Sequence, residues 1–341
     1  MKNNRLKGLA AGLAMAAVAG VGVGLVVTEL GDEPAEAPPS SLATTIPAEP
    51  EVTSPPAPTV EPSVPDPDTS ADEPGQPVVF PGTENDPWHD EFVVHDPAEV
   101  TWPTSRDEAG RPRGRDGMKR MEGTIKLSDE GQTLSDVEIF GHVVVEADNV
   151  TLTNCVVHYD GAGGAAVDNQ ADNFVLEQCD LLGPDQGLAG FRNGQDAGTA
   201  RVEANYIEGF SDHLGAEGGT VDFIRNLSGA VRQTETTHND AIQILGGVDH
   251  RIIDNHFRNV PADGSEAKGQ VVWLSGEYGI DGVTVEGNLI EGGAMAFGVG
   301  DGASDVKMLG NVWKADTIRY APVHPRSNVD AVSRWEDNRL W

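Results

Sequence analysis

Two stretches near the middle of the chain hold most of the residues whose types and spacing could do acid–base chemistry. They are SDHLGAEGG, residues 211 to 219, and NDAIQILGG, residues 239 to 247. Each has an Asp at its second position, an apolar residue at its fourth and a Gly-Gly at its end, and His238 precedes the second to give HNDAIQ. Carboxyl groups on neighbouring chain segments suit general acid–base work, and a histidine beside them adds a group that titrates near neutrality. Asp212, His213, His238 and Asp240 are therefore the candidate catalytic residues. No zinc motif, phosphate loop or nucleotide fingerprint accompanies them.

These residues need an element to position them, and alternation supplies one. If both stretches are extended strands, Ile242 and Ile244 face inward and Gln243 outward. One repeat earlier Leu214 and Ala216 face inward, and His213, Gly215 and Glu217 outward. The later stretches QVVWLSG and GAMAFGVG continue the pattern, with Val272, Leu274, Phe297 and Val299 inside and Trp273 and Gly298 outside. The outward column then reads Gly215, Gln243, Trp273, Gly298, with His213 and Glu217 beside its first member. A flat ring, hydrogen-bonding side chains and small neighbours make a surface on which a sugar chain can lie. Gln243, Trp273 and Glu217 are the candidate ligand-binding residues. Lys268, in a flanking loop, is a candidate base or charge neutraliser. Asp212 and Asp240 share parity with the buried residues, so turn capping and stacking is the alternative reading for both. For each histidine the alternative is a plain surface loop position. Adjacent strands lie about 4.8 Å apart, which would set the two carboxyls slightly closer than the roughly 5 to 5.5 Å of retaining glycosidases.

The strand reading rests on a wider pattern. An apolar residue followed three positions later by Asn or Cys recurs at Leu152/Cys155, Leu176/Cys179, Val202/Asn205, Phe223/Asn226, Ile252/Asn255, Val285/Asn288, Met308/Asn311 and Trp335/Asn338. The interval is twenty to thirty-odd residues and helical spacing is absent, which predicts short β-units that bury their apolar faces only by stacking. Asn at a fixed turn position predicts an internal ladder from unit to unit. Cys155 and Cys179 fall on consecutive units, close enough for a disulfide, with a plain thiol pair in the ladder as the alternative.

WPT at residues 102 to 104, DVEIFGHVVVEADNVTLTNCVV, HNDAIQILGG, VTVEGNLIEGG and the closing WEDNRLW together resemble the right-handed parallel β-helix proteins of the pectate-lyase superfold. The likeness is greatest to the secreted and phage-borne members that carry H-x-D-x-I-Q, and it covers residues 101 to 341. It implies an all-β fold, a right-handed single-stranded parallel β-helix (a pectin-lyase-like solenoid). It also implies a polysaccharide partner with the reaction left open, because the superfold includes lyases, hydrolases, esterases and non-catalytic binders. Neither the paired-Asp motifs of polygalacturonase-like hydrolases nor a lyase arginine motif is present. Depolymerisation by lyase or glycoside hydrolase chemistry is the first expectation, and a non-catalytic glycan-binding or adhesive surface module is the second.

Composition divides the rest. Lys2, Arg5 and Lys7 precede an uncharged run over residues 8 to 28, either a cleaved export signal or a retained membrane anchor over residues 1 to 30. Both place the remainder outside the cytoplasm, at the cell surface or beyond it. Residues 31 to 100 are rich in Pro, Glu, Asp, Thr and Ser and contain no Lys or Arg, which predicts an extended acidic linker. The folded part expected over 101 to 341, a monomeric domain, keeps the acidic bias of a chain whose net charge is −32. Such a field argues against nucleic acid and against any anionic membrane contact beyond the N-terminal segment. It would also repel a polyuronate unless a cation such as Ca²⁺ bridged the two.

Overall fold

The computed structural model describes residues 93–94, 102–110, 117–234 and 237–341, the side chains of 185–187 excepted. The expected export segment and nearly all of the expected linker lie outside the described residues. Among those described, no helix is long and apolar enough to cross a membrane. Strands take up 59% of the described residues and helix 3%, so the fold is all-β.

The strands pair in parallel, each with one strand a tier earlier and one a tier later. Three series run through the molecule. The first holds the apolar members of the recurring pairs, with Leu152 beside Leu176, then Val202, Phe223, Ile252, Val285, Met308 and Trp335. The second follows the Asn/Cys turn and sets Tyr206 beside Leu227, then His256, Leu289, Val312 and Arg339. The third carries the two matching stretches, with Phe191 beside Leu214, then Ile242, Val272 and Phe297. Inward residues of all three meet in one core, where Phe174, Phe191, Phe210, Phe223, Phe257 and Phe297 are fully buried.

The eight recurring Asn and Cys positions form a continuous ladder. From Asn205 to Asn338, each backbone N–H and each Nδ2 donates to Oδ1 of the next Asn, at 2.8 to 3.1 Å. Each Nδ2 also donates to the carbonyl of the apolar residue one tier back: Asn226 to Val202, Asn255 to Phe223, Asn288 to Ile252. The three-residue spacing of the motif therefore has a physical cause, since the carboxamide bridges to the carbonyl of the preceding pair. The residue before each ladder position has positive φ, as at Gln178, Ala204, Arg225, Asp254 and Asp337, which turns the strand sharply enough to start the next one. Cys155 and Cys179 occupy the first two ladder positions. The Cys155 N–H donates to Cys179 Sγ at 3.4 Å, and both thiols are buried and free rather than bridged.

One segment crosses the tiers. Val93–Val94 pairs in parallel with Arg339–Leu340 in the last tier, so pairing reaches upstream of residue 101. Trp102 packs on Leu289 and Val312, and the carbonyl of Pro103 meets His256 Nδ1 at 3.2 Å. Arg106 binds Asp180 at 2.5 Å and lies over the Tyr206 ring, and the Gly110 N–H donates to the Ala204 carbonyl. At Gly110, φ is +85° and a Cβ would fall 2.6 Å from Asp180 Oδ1, so the close approach there requires glycine. This strap covers the outer face of the second series over several tiers. Beside it Glu291 is held by His256, Lys314 and Arg258 at 2.9, 3.0 and 3.2 Å. Those bonds, the one from His256 first, pull its carboxyl down to about 2.

Candidate functional site

On the third series the outer face is open. Its outward column runs Asp168, Arg192, Gly215, Gln243, Trp273, Gly298 in direct register. Alternation of apolar residues fixes this order, since Leu214, Ile242, Val272 and Phe297 turn into the core beside it and are fully buried.

A cleft of about 260 Å³ opens on this column, lined among others by Arg192, Asp212, Gly215, Glu217, Gln243 and Leu245. Gly215 forms open floor: a Cβ there would meet only backbone oxygens at 3.6 and 3.7 Å. Arg192 stands at one end with its Nε and Nη2 each 3.0 Å from an oxygen of Asp168, a forked pair that raises the guanidinium further. Its Nη1 lies 3.5 Å from Glu217 Oε1. Gly164 gives the guanidinium its room, because a Cβ there would fall 2.9 Å from it. Beyond the cleft, next in register after Gln243, the indole of Trp273 lies half-buried over Gly298, where a Cβ would fall 2.5 Å from the ring, and His324 stands 5.9 Å from it.

The acids sit where the strands begin. Asp212 Oδ1 accepts the Asp240 N–H at 3.0 Å, and Asp240 Oδ1 accepts the Gln270 N–H at 2.7 Å. Gln243 Nε2 donates to Asp240 Oδ2 at 3.2 Å, which ties the column to the acid pair. Burial pushes the Asp212 carboxyl up to about 6. Asp240 is 2% exposed and goes well above the usual carboxylate range, through burial first and then the repulsion of Asp212. Asp212 itself lines the cleft, and the oxygen it uses toward the next tier is Oδ1. The pair thus combines a deep acid that holds its proton well above the usual carboxylate range with a shallower one that changes charge near pH 6.

Of the residues expected at the site, Asp212, Glu217 and Gln243 line this cleft, Trp273 is the next outward position in register after Gln243 but lies outside the lining, and Asp240 is bonded to Gln243. Asp240 does not line it. His213 must be corrected: it is fully buried rather than outward and accessible, and burial lowers its imidazole to about 4. The segment around Ala230 covers it, its backbone coming near enough to favour the charged ring, though neither ring nitrogen makes a well-formed bond to a described residue. His238 is exposed in the loop before Asn239 and bonds no described side chain. Lys268 also stays with the loops: its ammonium donates to the Thr234 carbonyl at 3.0 Å and its N–H to Gln233. Arg192 and Asp168 belong to the site but lie in no stretch that ends in Gly-Gly. The signal for them was the interval of 24 residues between Cys155 and Cys179, which also separates Asp168 from Arg192. No group of three or more His, Cys, Asp or Glu is placed to hold a metal ion among the described residues.

No protein-family model matches the chain, and neither curated proteins nor solved structures give a match.

Proposed function

We propose that the tiers are the coils of a right-handed parallel β-helix, that the chain is exported, and that the cleft binds a polysaccharide and cleaves it with Asp212 as the acid–base group. One observation carries the reading: a carboxyl raised to about 6 lines a cleft on an outward column whose next position after Gln243 is a half-buried tryptophan. Gly215 leaves space for a sugar ring, Gln243 offers hydrogen bonds to hydroxyls, and the indole of Trp273 offers a stacking face. Near pH 6 the protonated Asp212 can give its proton to a glycosidic oxygen. Once ionised, it faces the positive charge that develops at the anomeric carbon, and water completes the substitution. Asp240 accepts a hydrogen bond from Gln243 and holds it in place. In a lyase the ionised Asp212 would instead abstract a proton beside a carboxyl group, so the products separate the two chemistries.

A second reading, a binding module without turnover, is favoured by a different observation. Both carboxyls accept a backbone N–H from the following tier, so both have architectural work independent of any reaction. The test is incubation of the purified chain with a panel of polysaccharides, followed for new reducing ends and for unsaturated products. Hydrolysis with an optimum near pH 6, reduced about 10²-fold or more in Asp212→Asn, is the expected result. Tight binding with neither product would replace this reading by the second.

A further inference from the structure

From the charges that face the cleft we infer that its ligand is a glycan bearing free amino groups, a polycation, rather than a polyuronate; this rests on the glycan reading above. Recognition of a uronate carboxylate needs a cation whose donors point at the ligand. Among the described residues lining the cleft the one cation is Arg192, and its fork already faces Asp168, with both carboxylate oxygens at 3.0 Å. Lys268, a cation on the loop side of these tiers, does not line the cleft, and its ammonium donates to the Thr234 carbonyl. The anionic side differs. Glu217 lines the cleft and meets Arg192 only at 3.5 Å, and Asp212, which lines it too, uses Oδ1 toward the next tier.

Two acceptor groups with unfilled capacity therefore face the ligand, while the guanidinium beside them is taken. A protonated amine on a sugar ring supplies what both lack: a compact cation with three donors, of the kind that a carboxylate binds better than a neutral amide does. The field of the whole chain, with 55 acidic against 23 basic residues, draws a polycation toward the cleft and repels a polyanion. Trp273 adds an aromatic face at the end of the same column, and a cation or a sugar ring can rest on it.

The experiment is calorimetric titration of the full chain at pH 6.5 with three oligosaccharides of equal length. One is an oligomer of glucosamine with free amines, the second its fully N-acetylated counterpart, and the third an oligogalacturonate with and without Ca²⁺. The expected result is that the free-amine oligomer binds about tenfold or more tighter than the N-acetylated one, a difference of about 1.4 kcal/mol. That ratio should shrink as salt rises from about 0.05 to 0.5 M, and again in Glu217→Gln. Equal affinity for the first two, or tighter binding of oligogalacturonate under either condition, overturns the charge assignment and leaves the glycan reading standing. Failure of all three to bind overturns both.

Discussion

Glu291 and Asp212 are carboxyl groups on outer faces of the same stack, and they have been treated in opposite ways. Around Glu291 Arg258, Lys314 and the His256 ring converge, the strap from Trp102 to Gly110 runs alongside, and the carboxyl is pulled down to about 2. Asp212 faces a cleft that the strap does not cover, has another acid as its neighbour, and is pushed up to about 6. The first arrangement stabilises the fold and the second strains it. Residues that a protein keeps at a loss of stability are candidates for function, because stability alone would replace them. The covered face therefore reads as structure and the open one as the site, although both are built from similar strands.

The largest expected effect tests the covered face. Trp102→Ala removes the apolar anchor of the strap from Leu289 and Val312 and should lower stability by about 3 kcal/mol or more. A loss under about 1 kcal/mol, measured by urea denaturation, would mean that the strap is not a structural part of the stack.

Next come opposite pH dependences. Asp212 binds its proton more tightly folded than unfolded, so its contribution to stability declines as pH rises from about 4 through about 6 and is level above that. The decline is on the order of 3 kcal/mol at most. Asp212→Asn should therefore stabilise the protein at pH 7 and hardly at all at pH 3.5. Glu291 has the reverse sign: its contribution is full above the unfolded value near 4.5 and is lost as pH falls through about 2. After discounting for solvent screening it is about 1 to 2 kcal/mol. Glu291→Gln should destabilise at pH 7, with the difference from the parent closing toward pH 2. Parallel stability curves for either variant and its parent would remove the electrostatic contrast between the faces.

The smallest effect on stability sharpens the open face. Gly215→Ala meets nothing nearer than 3.6 Å and has no unusual φ, so folding should change by less than about 0.5 kcal/mol. Its methyl group occupies the floor of the cleft, however, and affinity for an oligosaccharide should fall severalfold in the same calorimetric assay. Unchanged affinity would move the ligand away from Gly215.

The stacking of the strands was legible in the sequence because the ladder repeats one interaction. An Asn three residues after an apolar position reports the bond from its Nδ2 to a carbonyl one tier back, and six such pairs, with the two cysteine pairs before them, report the register. The column Gly215, Gln243, Trp273, Gly298 was legible for a related reason, since alternation states which way a side chain leaves a strand. Alternation does not state what lies beyond the side chain. His213 leaves its strand outward and is buried by the segment near Ala230, which no period in the sequence announces. Arg192 has no likeness to the Asp and Gly-Gly stretches, and the one periodic mark it carries is the 24-residue interval from Asp168 that the two cysteines share. The strap has no period at all: Trp102, Arg106 and Gly110 each make a different contact, so only the folded chain brings their roles together.

The ladder also has a direction, and that direction makes the fold extensible. From Asn205 to Asn311 each backbone N–H and Nδ2 gives a hydrogen bond to the carboxamide oxygen of the tier that follows, in the same geometry, while Nδ2 gives a second one to a carbonyl of the tier before. Duplication of one whole unit, such as residues 226 to 254, breaks one such joint and makes two of the same kind. The outward column grows by one position at the same time. A gene that repeats such a segment lengthens the surface along which a polymer can lie without asking the core for a new solution, so the reach of this protein can evolve in steps of one tier.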